Sequence, residues 1–130
     1  MTGRQEIRVA GLAEPISHYT DAVLAGGLLF VSGMVAVDGA GKLVGGADVV
    51  AQARQVFANL DAALAAGGCS FADVVKVTVF LTDVDDRAAV NTVRRELFGA
   101  TRPASTLVEV PRLAVPGARI EVECVAQVPA

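Results

Sequence analysis

The chain has 130 residues, 53% of them apolar, and five Phe and one Tyr are its only aromatics, so a single core built mainly of Val, Ala and Leu is expected across residues 1–130. Eleven Lys and Arg are scattered among fourteen acids for a net charge of −3. That distribution offers no electrostatic footprint for nucleic acid.

Glu6 to Ala10 and Thr20 to Ala25 read as short strands separated by a loop that contains Pro15. Gly26-Gly27 then turns the chain into a long strand, Leu28 to Val37. Simple alternation puts Leu28, Phe30, Ser32, Met34 and Ala36 on one face of that strand and Leu29, Val31, Gly33, Val35 and Val37 on the other. Neither set is predominantly polar, so both faces are expected to be covered.

From Asp48 to Ala66 the period changes. Val49, Ala53, Val56, Phe57, Leu60, Ala63 and Leu64 recur at helical spacing, with Gln52, Gln55 and Asn59 on the other side. Asp48 suits the N-cap and Gly67 a left-handed stop. Val74 to Leu81 is strand-like, with Val75, Val77, Val79 and Leu81 facing one way and Val74, Lys76, Thr78 and Phe80 the other. Asp85 or Asp86 opens a second helix that carries Val90, Val93, Leu97 and Phe98 and ends at Gly99. Two more strands, Ser105 to Val110 and Arg119 to Val128, are joined by a loop with Pro111, Pro116 and Gly117.

Six strands and two amphipathic helices predict an α+β architecture, one sheet with both helices on one face. Strands that are apolar on both sides must then bury the helix-free face against something, and other copies of the chain are the simplest partner. In the last strand Ile120, Val122, Cys124, Ala126 and Val128 belong under the helices, which turns Glu121 and Glu123 toward the helix-free face. A carboxylate in such a seam is costly unless it is hydrogen-bonded or functional; the alternative is an ordinary solvated edge.

Other signals are weak. The opening string MTGRQEIR lacks the basic-then-apolar build of a secretory signal. The longest apolar run, Ala22 to Val37, is broken by Gly26, Gly27, Ser32 and Gly33 and falls short of the roughly 20 residues of a membrane span. A cytoplasmic protein without membrane partners is the expectation. Cys69 and Cys124 have no metal-ligand spacing and read as reduced thiols, and the lone His18 makes no metal site. GAGKLVGG, Gly39 to Gly46, fails the phosphate-loop spacing, because Ala36 and Leu43 stand where a glycine and a hydroxyl residue belong. One histidine also leaves little room for a Ser-His-Asp triad.

Tyr19, VSG at Val31–Gly33, AQAR at Ala51–Arg54, VVKVTVFLTD at Val74–Asp83, VN at Val90–Asn91, RPASTLVEVPRL at Arg102–Leu113 and IEVECVA at Ile120–Ala126 together resemble the RidA/YjgF/UK114 family over nearly the whole chain. The resemblance implies a chorismate-mutase-like fold with a six-stranded mixed sheet, a homotrimer, and clefts between subunits that hydrolyse reactive enamines and imines derived from amino acids. No cofactor or metal is implied, and the partners are a small-molecule substrate or ligand and further copies of the chain. By the same resemblance Glu121 positions the attacking water, while Tyr19, Ser32 and Asn91 line the cleft.

One position departs from the pattern. Two residues after Pro103 the family carries an arginine that clamps the substrate carboxylate; here Ser105 stands there, followed by Thr106, with Leu107 where many members have a reactive cysteine. A hydroxyl has neither the charge nor the fork of a guanidinium. Neither Arg102, held extended by the proline after it, nor Arg112, which accompanies the clamp in active members, is a convincing substitute. The expectation is an acid-bearing hollow with no fixed cation, acting on imines without the usual carboxylate or bonding a neutral group through Ser105 and Thr106.

Each residue has a plainer role beside this one. Glu121 can be a hydrogen-bond anchor between strands or subunits, Ser32 a backbone-satisfied hydroxyl, Tyr19 an interface residue, Asn91 a surface residue and His18 a loop histidine rather than a proton relay. The rival functions are a ligand-binding or chaperone-like trimer and, opposed by the acidic charge, a ribonuclease.

Overall fold

The structure, a computed structural model, describes residues 3–130; Met1 and Thr2 of the opening string lie outside them. Its strands are β1 (Gln5–Ile7), β2 (Ala22–Ala25), β3 (Leu28–Met34), β4 (Val74–Leu81), β5 (Ala104–Glu109) and β6 (Ile120–Gln127), and its helices are α1 (Val49–Ala66) and α2 (Arg87–Phe98). They form one six-stranded sheet in the order β1-β2-β3-β6-β4-β5. β4 and β5 run parallel and every other pair is antiparallel. A parallel pair needs a crossover, and α2 is that connection. Gly26 and Gly27, at φ 60° and 78°, close the β2–β3 hairpin with the two left-handed residues that a tight turn matching strand twist requires.

α1 begins as its sequence expects, with the Asp48 side chain accepting from the amides of Val50 (3.0 Å) and Ala51 (3.2 Å). Its end differs by one residue: Gly67 keeps φ −93° and Gly68 takes the left-handed conformation at 81°. Gly67 is needed for space, since a Cβ there would strike the side chain of Leu29. Both helices lie on one face, over Leu29, Val31, Val77, Val79, Leu81, Ile120, Val122 and Ala126, all buried. Phe57 is fully enclosed and meets Phe71 and Phe98 at ring separations of 6.3 and 6.2 Å, the edge-on geometry that aromatic quadrupoles favour.

Strict alternation fails at two bulges. The pairing of β3 with β6 shifts between Val31 and Met34, so that Ser32 and Gly33 together face the span of Glu123. Beyond the bulge Met34 and Ala36 are buried with Leu29 and Val31, not with Phe30. In β4 a second shift between Val74 and Lys76 leaves Val74 in the core and turns Val75 out, 45% exposed. A bulge inserts one residue and inverts the parity on one side of it, which a period of two cannot register.

The polar side assigned to α1 is also corrected. Gln52 is fully buried and Asn59 nearly so. Gln52 donates to the carbonyls of Gly46 (2.6 Å) and Gly117 (3.0 Å) and accepts from the amide of Arg119 (2.8 Å). Asn59 donates to the carbonyls of Val35 and Val37, each at 3.0 Å, and accepts from Gln55. Both amides bury because irregular segments beside the helix present backbone groups that need partners.

Across the helix-free face the register lines up Val23, Phe30, Val125, Lys76 and Ala104 in one row, and Glu121, Phe80 and Val108 in another. Phe30 is 44% exposed and Val108 37%. No helix of the described residues is long and apolar enough to cross a membrane.

Candidate functional site

The β3 bulge and β6 build the site. Gly33 of the VSG string lies so close to Glu121 that a Cβ on it would collide with the carboxylate. The glycine is therefore a vacancy for Glu121, a requirement of close approach rather than of unusual backbone. A cavity of about 450 Å³ opens there, with Tyr19, Ser32, Gly33, Asn59, Glu121 and Glu123 among its lining residues and Leu12 and Ile16 on its apolar wall.

Glu121 is half-buried, and burial, then the charge of neighbouring Glu123, raises its carboxyl pKa above the ordinary range. Among the described residues it enters no ion pair and no hydrogen bond that would hold its charge. An anchor within the chain would show such a partner, so the anchoring role finds no support here. Ser32 donates its hydroxyl proton to the carbonyl of Thr20 (2.6 Å), and its amide donates to the carbonyl of Asp21 (2.9 Å). The loop that carries Tyr19 is thus tied to β3. The Ser32 oxygen keeps acceptor capacity toward the cavity. The root of that loop is clamped by buried Asp21, which accepts from the amide of Val9 (2.8 Å) and pairs with Arg8. Tyr19 stands at the rim, 46% exposed, and His18 is exposed and not part of the lining.

The remaining residues lie elsewhere. Ser105 and Thr106, adjacent on β5, point to opposite faces. Thr106 is on the helix-free face, where Lys76 donates to it from 3.1 Å. Ser105 pairs in register with core residue Val77 and faces α2, whose Arg94 donates from Nη2 to its hydroxyl at 3.0 Å. Asn91, half-buried, is one turn before Arg94 on the same helix face. Within one chain the structure thus brings together Tyr19, Ser32 and Glu121 at one cavity, and separately Ser105 with Arg94 of the helix that carries Asn91. Arg94, which the sequence reading did not weigh, puts a cation beside Ser105; it is not among the residues that line the cavity at Glu121. Arg102 and Arg112 are exposed.

Glu123, turned by alternation to the same face as Glu121, does line the cavity, whereas sequence reasoning missed Asn59 and the part played by Gly33. For Arg94 a signal existed, its spacing of three from Asn91. Burial raises both thiols, that of Cys124 to about 12, so neither is a ready nucleophile. No group of three or more potential metal ligands occurs among the described residues.

A family profile described as Endoribonuclease L-PSP matches residues 11–128. A RutC family protein of Synechocystis is 42% identical over 95% of both chains. The 2-iminobutanoate/2-iminopropanoate deaminase of Capra hircus is 39% identical over 95% of this chain and 89% of its own. The crystal structure of Escherichia coli TdcF with bound serine superposes with a TM-score of 0.88 at 32% identity, covering 96% of this chain and 99% of that one. Matched over nearly its whole length in sequence and fold, the chain belongs to the RidA/YjgF family, the family of the Endoribonuclease L-PSP profile.

Proposed function

We propose that this protein is an enamine/imine deaminase, hydrolysing a reactive C=N intermediate at clefts between the subunits of a homotrimer. The observation that carries the reading is Glu121: a half-buried carboxylate of raised pKa, without a partner among the described residues, held over a glycine made vacant for it, in a cavity with an apolar wall. Ionised carboxylates are not left in such places without a structural or chemical reason.

The chemistry asks little more. An imine is already electrophilic, so hydrolysis needs water beside the carbon and a base for its proton. On the protonated imine, Glu121 takes a proton from water as the oxygen adds to carbon, giving a carbinolamine. Glu121 returns that proton to nitrogen, and ammonia leaves as the C=O bond forms and the hydroxyl proton passes to Glu121 and on to the departing ammonia or solvent. The raised pKa suits both halves, since a base with a pKa nearer neutrality also gives its proton back more readily. Ser32 accepts from the substrate N–H, and Tyr19 covers the rim. Asn91, Ser105 and Thr106 complete the cleft from the β5 edge of a neighbouring copy, which also covers Phe30 and Val108. Ser105 brings neither charge nor fork to the position it occupies, which alters the range of imines accepted.

The relatives named as imine deaminases support this reading, as do the apolar residues on the helix-free face. A ribonuclease would have to bring phosphates toward a face bearing Glu121 and Glu123 in a protein of net charge −3. The test measures ammonia released from 2-iminobutanoate, formed in situ by an amino-acid oxidase, and from an uncharged imine. Release above the uncatalysed rate that disappears in Glu121→Gln is expected. Uncatalysed rates for every imine would overturn the proposal.

A further inference from the structure

Ser105 does not leave the β5 edge without positive charge. Arg94 reaches it from α2, and its guanidinium is half-buried, with one of its five N–H donors spent on the Ser105 hydroxyl and no carboxylate paired to it among the described residues. The contrast with other arginines is informative. Arg8, Arg54 and Arg119 each pair with an acid, while Arg102 and Arg112 are in solvent. A cation drawn partly out of water with its charge uncompensated is disfavoured, and burial accordingly lowers its pKa. An anion arriving from solution would remove that penalty, and a guanidinium fork fits a carboxylate in two parallel bonds.

We propose that Arg94 is the substrate-carboxylate residue of this protein, with Ser105 serving as the hydroxyl that steadies its guanidinium. The assignment rests on the imine-deaminase reading and narrows it: the substrate is an imine that carries a carboxylate, gripped from the helix side of β5 rather than from the strand itself. Asn91 lies three residues before Arg94 on α2, the spacing that shares a helix face. Ser105 is small and exposed, so it leaves open the path that a long side chain at this position would fill. The pair Arg94 and Ser105 then divides between helix and strand what one strand arginine would do alone. The shift carries a consequence for range: a cation supported from behind the strand accepts anions set deeper at the edge.

The test compares wild type, Arg94→Gln and the double variant Arg94→Gln/Ser105→Arg, each confirmed folded by circular dichroism and of unchanged assembly mass. Steady-state hydrolysis of 2-iminobutanoate and of an uncharged imine gives KM and kcat separately, and calorimetry with 2-oxobutanoate reads anion binding without turnover. Loss of a charge-assisted bond predicts a KM for 2-iminobutanoate raised about tenfold to a hundredfold in Arg94→Gln, 2-oxobutanoate binding weakened alike, and a clearly smaller effect on the uncharged imine. Ser105→Arg should restore most of the loss. If wild type hydrolyses 2-iminobutanoate and Arg94→Gln does so with the same KM, the assignment of Arg94 is overturned while the deaminase reading stands. If wild type hydrolyses no imine, the deaminase reading fails and calorimetry decides. Binding of 2-oxobutanoate that Arg94→Gln abolishes upholds Arg94 as an anion site; absent or unaltered binding overturns it.

Discussion

Replacing Gly33 by alanine separates the stability of the site from its chemistry. The added Cβ would sit 2.9 Å from Cδ and 3.1 Å from Cγ of Glu121, and nearer still to its carboxylate oxygen. Gly33 is not among the positive-φ glycines, so the backbone accepts alanine and the whole effect falls on Glu121. Its flexible end can swing aside into a less favourable rotamer, which costs about 1 kcal/mol. For a chain of this length that lowers the thermal midpoint by about 3 °C, read at fixed protomer concentration. Catalysis should suffer far more, because a base displaced by an ångström or so loses on the order of a hundredfold in rate. Thermal unfolding and ammonia release from 2-iminobutanoate give the two readings. In a Glu121→Ala background the same Gly33→Ala change should be nearly silent in stability, since nothing is left to collide with. Full activity in Gly33→Ala would refute the placement of Glu121 over this glycine, and so would an undiminished stability cost in the Glu121→Ala background.

Further consequences follow from single contacts. Glu121→Gln should abolish imine hydrolysis while stabilising the protein at neutral pH. Burial raises the folded-state pKa of Glu121, so the stability that its neutral form contributes is complete below the unfolded carboxyl value and is lost as pH rises through the raised one. The advantage of the glutamine variant in denaturant titrations should therefore vanish in acid and grow toward neutrality; an advantage that grew in acid would contradict the assignment. Wild-type kcat/KM should rise with pH through the same ionisation. Gln52→Ala strands two carbonyls and one amide and should cost about 2–4 kcal/mol in urea unfolding. Phe30→Glu places a charge on the helix-free face; if that face closes the proposed trimer, light scattering should find single chains of 13.3 kDa for the variant and three times that mass for wild type.

The regular parts of the fold were legible because periodicity reports burial. Val49, Ala53, Val56, Phe57, Leu60, Ala63 and Leu64 recur at helical spacing and are all buried, and the alternation of β6 places Glu121 on the helix-free face, where the structure has it. What stayed hidden depends on events that break a period or on groups distant in sequence. The bulge at Ser32–Gly33 changes parity within a strand, so alternation set Ser32 and Gly33 on opposite faces although both line the cavity with Glu121. Gln52 and Asn59 looked like solvent residues, because the carbonyls and amide they satisfy belong to segments that periodicity does not place against α1. Arg94 escapes a reading confined to Arg102 and Arg112, the arginines near β5 in sequence, because its guanidinium reaches Ser105 across from α2.

The cleft is held to be shared, with Glu121 from one copy and the β5 edge from the next, and mixed assemblies test that most directly. Glu121→Gln removes the base, and Ser105→Trp fills the edge at an exposed position; each should form an inactive trimer alone. Unfolded together in equal amounts and refolded, the two chains should recover about one quarter of wild-type hydrolysis, the fraction of clefts that draw both intact halves from different chains. Mixed trimers that form, by mass, and remain without activity would contradict a site built between subunits.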